Sequence, residues 1–186
     1  EGEVLSRLRR ATWLSTTKPQ MLSDPIQGRF LAIISKMIKP VRILELGTFT
    51  GYSTICLSEG LEKEGVIDTV EINDELQEIH EKYFKEAGIR EVVKRHYGHA
   101  LEIMKRGEIE GPYDLVWIDA DKEHQIEYVE FAISKLKTSG WLLIDNVIWG
   151  GSVFDKQKLN KADSGASRIH RLNQYIVECK KVENVL

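Results

Sequence analysis

Acids at the ends of two apolar runs are the first chemistry this chain offers. "LVWIDADK" (115–122) closes on Asp119, Asp121 and Lys122, and "LLIDN" (142–146) closes on Asp145 and Asn146. Two carboxylates brought together repel unless a proton or a cation joins them. With no His or Cys in the group, the oxygen donors of Asp119, Asp145 and Asn146 suit a hard divalent ion, Mg²⁺ first, with Ca²⁺ or Mn²⁺ as alternatives. Incomplete ligation by the protein leaves positions open for water or substrate. Lys122, beside such an ion, could take a proton from a substrate hydroxyl. The plainer reading is that strands end in polar loops and that Lys122 is an ordinary solvated lysine. Spacing alone leaves both readings standing.

A second stretch, "ILELGTFTGYST" (43–54), follows an apolar run and opens a helix. Gly47 permits a tight turn, and Gly51 lets a helix N-terminus come close to a ligand or to neighbouring backbone. A dinucleotide site prefers G-x-G-x-x-G, whereas Thr48, Phe49 and Thr50 separate the two glycines here. Glu45, just before the loop, would repel a pyrophosphate. A cofactor with a positive centre and an amino-acid tail but no phosphate fits better, and S-adenosylmethionine has both features. Glu71, ending the next apolar run, could accept hydrogen bonds from both ribose hydroxyls through its two oxygens.

These residues need a scaffold, and the hydrophobic pattern supplies one. "VRILEL" (41–46), "VIDTVEI" (66–72), "EVVKRHY" (91–97), "YDLVWID" (113–119) and "WLLIDNV" (141–147) read as strands. "DELQEIHEKYFKEAG" places Leu76, Ile79, Tyr83 and Ala87 on one helical face and stops at Gly88; "HQIEYVEFAISKLK" repeats the device with Ile126, Val129, Ile133 and Leu136. Such alternation predicts an α/β fold, a mostly parallel sheet with helices on both faces. Two helices precede the first strand. The second, Pro25 to Ile38, is amphipathic through Ile26, Phe30, Ile33, Ile34 and Met37, with Pro in its first turn. Ligands of such folds bind beyond the carboxyl ends of the strands, which is where every acid named above falls.

Bulk properties narrow the function classes. The 186 residues suffice for one well-packed core and carry a net charge of −3, which argues against a general electrostatic grip on nucleic acid. No apolar run approaches the ~20 residues that span a bilayer, so no membrane role is expected. Cys56 and Cys179 lack CxxC spacing and read as free thiols, which favours a cytoplasmic location. The chain opens at Glu1 rather than Met and stops at "KKVENVL", and reads as trimmed.

Taken in order, "ILELGTFTGYS", "TVEIN", "WIDADK" and "LLIDNVIWGG" resemble the divalent-metal-dependent O-methyltransferases, the group of catechol and caffeoyl-CoA O-methyltransferases and small bacterial enzymes. Softer likeness in "TWLSTTKPQMLSDPIQGRFL" and "RIHRLNQYI" extends it over almost the whole chain. The resemblance implies a Rossmann-like class I methyltransferase fold, with a further hairpin strand beyond "KKVENVL" that this chain lacks, leaving its C-terminal strands incomplete. It implies one methyltransferase domain over 1–186: N-terminal helices and lid (1–40), cofactor-binding sheet core (41–147), active-site loop (148–167), then a C-terminal helix and the start of the final strands (168–186). By the same resemblance Glu45, Gly47, Thr48 and Ser53 hold the methionine end of S-adenosylmethionine, Glu71 the ribose, and Ala100 the adenine side. Asp119, Asp145 and Asn146 hold the metal, Asp119 and Asp121 also border the cofactor, Lys122 is the basic residue, and Met21 belongs to the lid. His99 stands where many relatives have a small residue or proline. The activity implied is methylation of one hydroxyl of a vicinal diol on an aromatic ring, by a homodimer.

Alternatives stay open at this stage. Some bacterial relatives methylate a hydroxylated uridine in transfer RNA; that substrate would call for a basic surface around the pocket. A cofactor-binding protein without chemistry would not need Asp119, Lys122, Asp145 and Asn146 together. A nicotinamide-dependent oxidoreductase would bind NADH and lacks its third glycine here. Of the remaining polar stretches, "HYGH" could turn both His96 and His99 to a metal only as a helix, and it reads as a strand end. "SRIHRL" (167–172) reads as a solvated helix face carrying Arg168, His170 and Arg171, and "GGSVFDKQKLNKADSGAS" (150–167) as a mobile loop. Trp149 either lines an aromatic pocket or packs that loop.

Overall fold

Period-two alternation in the apolar runs sorts their side chains into two layers. Ile43, Ile67, Leu115 and Trp117 face one layer, where they pack against Leu5, Leu8, Leu31, Leu57 and Phe84. Leu44, Leu46, Val70, Val116 and Ile118 face the other, against Ile103, Tyr128, Val129, Ile169 and Leu172. A sheet buried on both faces must be covered by crossover helices, and its strands then run parallel. The computed structural model, which describes residues 1–161 and 164–185, has that architecture. Strands β1 (Arg42–Leu46), β2 (Val66–Glu71), β3 (Val93–Tyr97), β4 (Tyr113–Ile118) and β5 (Leu136–Ile144) form one parallel sheet in the order β3-β2-β1-β4-β5. Helices α1 (Glu3–Ser15), α2 (Pro25–Ile38), α3 (Tyr52–Ser58) and α4 (Gln77–Glu86) cover the first layer. The second is covered by α5 (Ala100–Arg106), α6 (Gln125–Lys135) and α8 (Gly165–Glu178), with α7 (Lys156–Leu159) beside α8. This is the Rossmann-like arrangement that the resemblance implies.

The chain leaves β1 toward β2 and β3, then crosses back to place β4 and β5 on the other side. The reversal lies between β1 and β4, where the strand ends open a crevice for a ligand. No helix among the described residues is long and apolar enough to cross a membrane.

Three expectations change on contact with the structure. The apolar stripe of α2 is not its packing face: Ile26, Phe30, Ile33 and Met37 are exposed, while Gly28, Leu31, Ala32 and Ser35 are buried. Close approach explains the choice. A Cβ on Gly28 would lie 2.6 Å from the Tyr52 ring and 2.8 Å from Cys56 Sγ, so the small-residue face admits α3 and the bulky face cannot. Leu136, expected on the helical face after His124, instead opens β5 opposite Tyr113. The stretch 150–167 is not uniformly loop: a tight turn spans Trp149–Phe154, and α7 follows with Asp155 capping it through the Gln157 N–H, 2.9 Å. Residues 162 and 163 of that stretch lie outside the described ones.

Candidate active site

The site is assembled by strand ends that overrun the sheet by one residue. Asp119 N–H donates to Leu46 C=O at 2.8 Å, and Asp145 N–H to Ile118 C=O at 3.0 Å, so the ladder carries both acids side by side past the edge. Gly47 and Thr48 N–H groups share the Val70 carbonyl, and Gly98 N–H donates to Glu71 C=O. A cavity of about 690 Å³ opens over these ends. Its wall includes Met21, Gly47, Thr48, Ser53, Glu71, Ala100, Asp119, Asp121, Lys122, Asp145 and Asn146, together with Trp149. Residues from Met21 to Trp149 thus meet at one opening.

Glu45 is the exception. It is fully buried beneath the loop and does not border the cavity. Its carboxylate accepts hydroxyls from Ser53, Thr54 and Thr69. Because Thr69 spends its proton on Glu45, the 2.6 Å contact between Thr48 and Thr69 is a donation from Thr48. Burial pushes the Glu45 carboxyl up to about 7, against the pull of the three hydroxyls. Its place is to anchor Thr48 and Ser53, which do reach the cavity.

The glycine loop is held in a costly conformation by groups on both sides. Phe49 adopts φ 46°, a left-handed value that a bulky residue keeps only when its surroundings impose it. Its N–H donates to Glu71 Oε2 at 2.6 Å, and its carbonyl accepts from His80 Nε2 at 2.5 Å. A carbonyl cannot donate, so Nε2 carries the proton and His80 Nδ1 accepts from the Tyr97 hydroxyl at 2.8 Å. Burial drives the His80 imidazole down to about 4, so it is neutral near pH 7 and keeps that tautomer. Glu71 also accepts from Asn73 N–H at 2.9 Å, and burial raises its carboxyl. The Ile72 N–H joins those of Phe49 and Asn73 in opposing that rise, and the side chain borders the cavity.

The His80 pKa has a measurable consequence. An imidazole that titrates near 6.5 unfolded and near 4 folded supports the fold above pH 6.5 and loses that support as pH falls toward 4. Glu45 and Asp119, both raised on folding, act in the opposite sense. The comparison must therefore be with a variant. Between about pH 7 and pH 4.5, wild type should lose roughly 2–3 kcal/mol more unfolding free energy than His80→Asn, read by urea denaturation. Parallel curves would show that His80 is not held neutral.

On the other side of the cavity, burial and the neighbouring Asp145 carboxylate push the Asp119 carboxyl up to about 7, with Lys122 opposing. Lys122 Nζ lies 3.5 Å from Asp119 Oδ1, both side chains being largely buried. Asn146 sits at φ 60°, a left-handed value Asn tolerates well, and its N–H donates to the Asp145 carboxylate at 2.7 Å. Asp119, Asp145 and Asn146 thus bring to one part of the cavity wall oxygen donors of the kind that could hold a hard divalent cation.

Asp121 is organised differently. Its Oδ1 accepts from the N–H groups of Glu123 and His124 and lies 2.9 Å from His124 Nδ1, while Oδ2 accepts from the Tyr128 hydroxyl. Burial would raise this carboxyl, but Tyr128 and His124 outweigh it and hold it below the usual carboxylate range. His99 approaches as well, its ring 5.1 Å from that of His124 and perpendicular to it. His96, by contrast, turns away to Asp68 at 3.0 Å.

Some participants went unread in the sequence. Tyr128 lines the cavity and orients Asp121; its spacing of seven from Asp121 was the available signal. His80 left none, since nothing local marks a helix histidine as the partner of a loop 31 positions earlier. Trp149, read as either pocket wall or loop packing, does both: it borders the cavity, and a Cβ on Gly165 would lie 2.9 Å from its ring.

Comparison with known proteins decides the family. The family model described as O-methyltransferase matches residues 1–186. The chain belongs to the O-methyltransferase family. A catechol O-methyltransferase of Niastella koreensis is 33% identical over 156 residues, covering 83% of this chain and 71% of that protein. A caffeoyl-CoA O-methyltransferase of Stellaria longipes is 32% identical over 157 residues, covering 82% and 65%. Among solved structures, an O-methyltransferase from Bacillus cereus in complex with SAH superposes with a TM-score of 0.87 at 27% identity, over 97% of this chain and 81% of that one. In this O-methyltransferase the clamped loop and the overrunning acids face the same cavity.

Proposed function

We propose that the chain transfers a methyl group from S-adenosylmethionine to one oxygen of a vicinal diol on an aromatic ring, with a divalent cation, Mg²⁺ in the first instance, at Asp119, Asp145 and Asn146. The observation that carries this reading is the convergence of Glu71, Lys122 and the Asp119–Asp145 pair on a single cavity. Relatives that act on catechol and on a caffeoyl thioester support the acceptor class.

Each residue then has a task. Glu71, at the end of β2 on the cavity wall, receives the ribose hydroxyls. Gly47, Thr48 and Ser53 cradle the methionine end, stiffened from below by Glu45. Ala100 and Asp121 border the adenosine, and Met21, 59% exposed, closes the cavity from the N-terminal segment. A cation bound at the oxygen set would chelate both diol oxygens and lower the pKa of the attacking hydroxyl. Lys122, held beside Asp119, accepts or steers the proton that this hydroxyl releases. Displacement at the methyl is a direct in-line step, so positioning and charge placement supply most of the acceleration.

The exposed stripe Ile26, Phe30, Ile33 and Met37 on α2 supports a homodimer, since a contiguous apolar face of this kind marks an association surface. Free thiols at Cys56 and Cys179 support a reducing, cytoplasmic setting.

The test is methyl transfer from labelled S-adenosylmethionine to a catechol, a caffeoyl ester and hydroxyuridine-containing transfer RNA, each with Mg²⁺ and with chelator. Labelling of a diol that chelator abolishes is the expected result. Labelling of the RNA alone would overturn the acceptor class, and labelling insensitive to chelator would overturn the metal.

A further inference from the structure

Beside the oxygen set lies a second cluster of a different chemical character. One nitrogen each from His99 and His124 and one carboxylate oxygen of Asp121 all lie within 4.8 Å of one another. They come from three separate places: His99 precedes α5 after β3, Asp121 follows β4, and His124 precedes α6. His99 and Asp121 stand on the cavity wall next to Ala100.

We infer that His99, Asp121 and His124 form a binding site for a borderline transition ion such as Zn²⁺, distinct from the oxygen set. Ligand chemistry separates the two. Imidazole nitrogen favours Zn²⁺ and its first-row neighbours, whereas Mg²⁺ takes oxygen donors in octahedral geometry. Three protein ligands, two of them on the cavity wall, match the ligand count of an open zinc site. Zinc bonds of about 2.0–2.1 Å put tetrahedral ligand atoms roughly 3.4 Å apart, a spacing within the 4.8 Å spread of these three groups. Asp121 is already held in place: the Tyr128 hydroxyl donates to Oδ2, the Glu123 and His124 N–H groups donate to Oδ1, and zinc takes the place of the proton that His124 Nδ1 donates to Oδ1.

The consequence for the enzyme rests on the proposed reading, in which Asp121 borders the adenosine. An ion that draws His99 and Asp121 together narrows that end of the cavity, so Zn²⁺ weakens S-adenosylmethionine binding. By linkage the cofactor weakens Zn²⁺ by the same factor.

Competition of the full chain with a chromophoric zinc chelator, in excess Mg²⁺ to fill the oxygen set, tests the site without any turnover. One Zn²⁺ per chain is expected, with affinity falling about tenfold or more in His124→Asn and in His99→Asn. Both residues are partly exposed, and thermal melts of the variants verify the fold. Zinc binding that persists unchanged in both variants, or zinc lost in Asp145→Asn but kept in His124→Asn, overturns the assignment. Titration of S-adenosylmethionine without zinc checks the underlying reading separately. Zinc held by the histidines yet indifferent to a cofactor that does bind overturns the antagonism.

Discussion

Asp145→Ala is expected to reduce metal-stimulated methyl transfer by on the order of 10³-fold while leaving S-adenosylmethionine affinity nearly intact. The separation follows from where the residue stands. Asp145 is the first residue past β5, tied through its N–H to Ile118 and placed against Asp119. Its N–H is spent on Ile118 and its carboxylate on Asn146 and Asp119, away from Glu71, Thr48 and Ser53, the groups that receive the cofactor in the proposed reading. Removing the carboxylate therefore dismantles the oxygen set and spares the nucleoside end. It also removes one of the two influences that raise Asp119, whose carboxyl should move back toward its ordinary range. Turnover against Mg²⁺ concentration, beside a cofactor titration, reads both halves. Unchanged turnover would sink the assignment of Asp145 to the metal, whatever the affinity shows.

Gly47→Ala is expected to damage stability and both halves of the site together. Gly47 has φ +100°, a region L side chains rarely adopt, and a Cβ there would fall 2.2 Å from the Asp119 carbonyl oxygen. Backbone opposes it, so rotation of a side chain cannot relieve the overlap. The loop must move off β4 or Asp119 must move off the sheet, and either displaces a binding group. Strain and overlap together should cost about 2–4 kcal/mol, a drop of roughly 5–15 °C in Tm for a chain of this size. Cofactor affinity should fall with it. Gly88→Ala is the control: φ is +72°, but nothing lies within 4 Å of the added methyl. That variant should lose about 1–2 kcal/mol of stability through backbone strain alone and bind cofactor normally. Normal cofactor binding by Gly47→Ala would show that the loop does not need its close approach to β4.

What could be read directly from the residues was local or periodic. Five runs of β-branched and aliphatic residues marked five strands within a few positions, and α2 begins and ends where its proline and its last apolar residue place it. Alternation with helical segments implied a parallel sheet, and the parallel sheet implied that acids at strand ends share one edge. Hence the pattern alone puts Asp119, Asp145, Asn146 and Glu71 on one edge, and the cavity wall carries all four. Polar residues that close apolar strands are legible because burial and chain direction are both written into the pattern.

The tertiary structure decided what depends on contact between distant segments. Hydrophobic periodicity could name an apolar stripe on α2, yet Gly28 against Tyr52 and Cys56 turned that stripe outward. Glu45 reads as a cavity residue by position, yet strand alternation sends its side chain under α3 to three hydroxyls. His80 is one histidine on an amphipathic helix until Phe49 and Tyr97 meet it. His99 and His124, 25 positions apart, become neighbours only because two strand ends lie on the same rim. The physical reason is common to all four. Propensity and periodicity are properties of a segment and its own backbone, whereas steric fit and hydrogen-bond partnership belong to pairs of groups that the chain brings together only when the sheet closes.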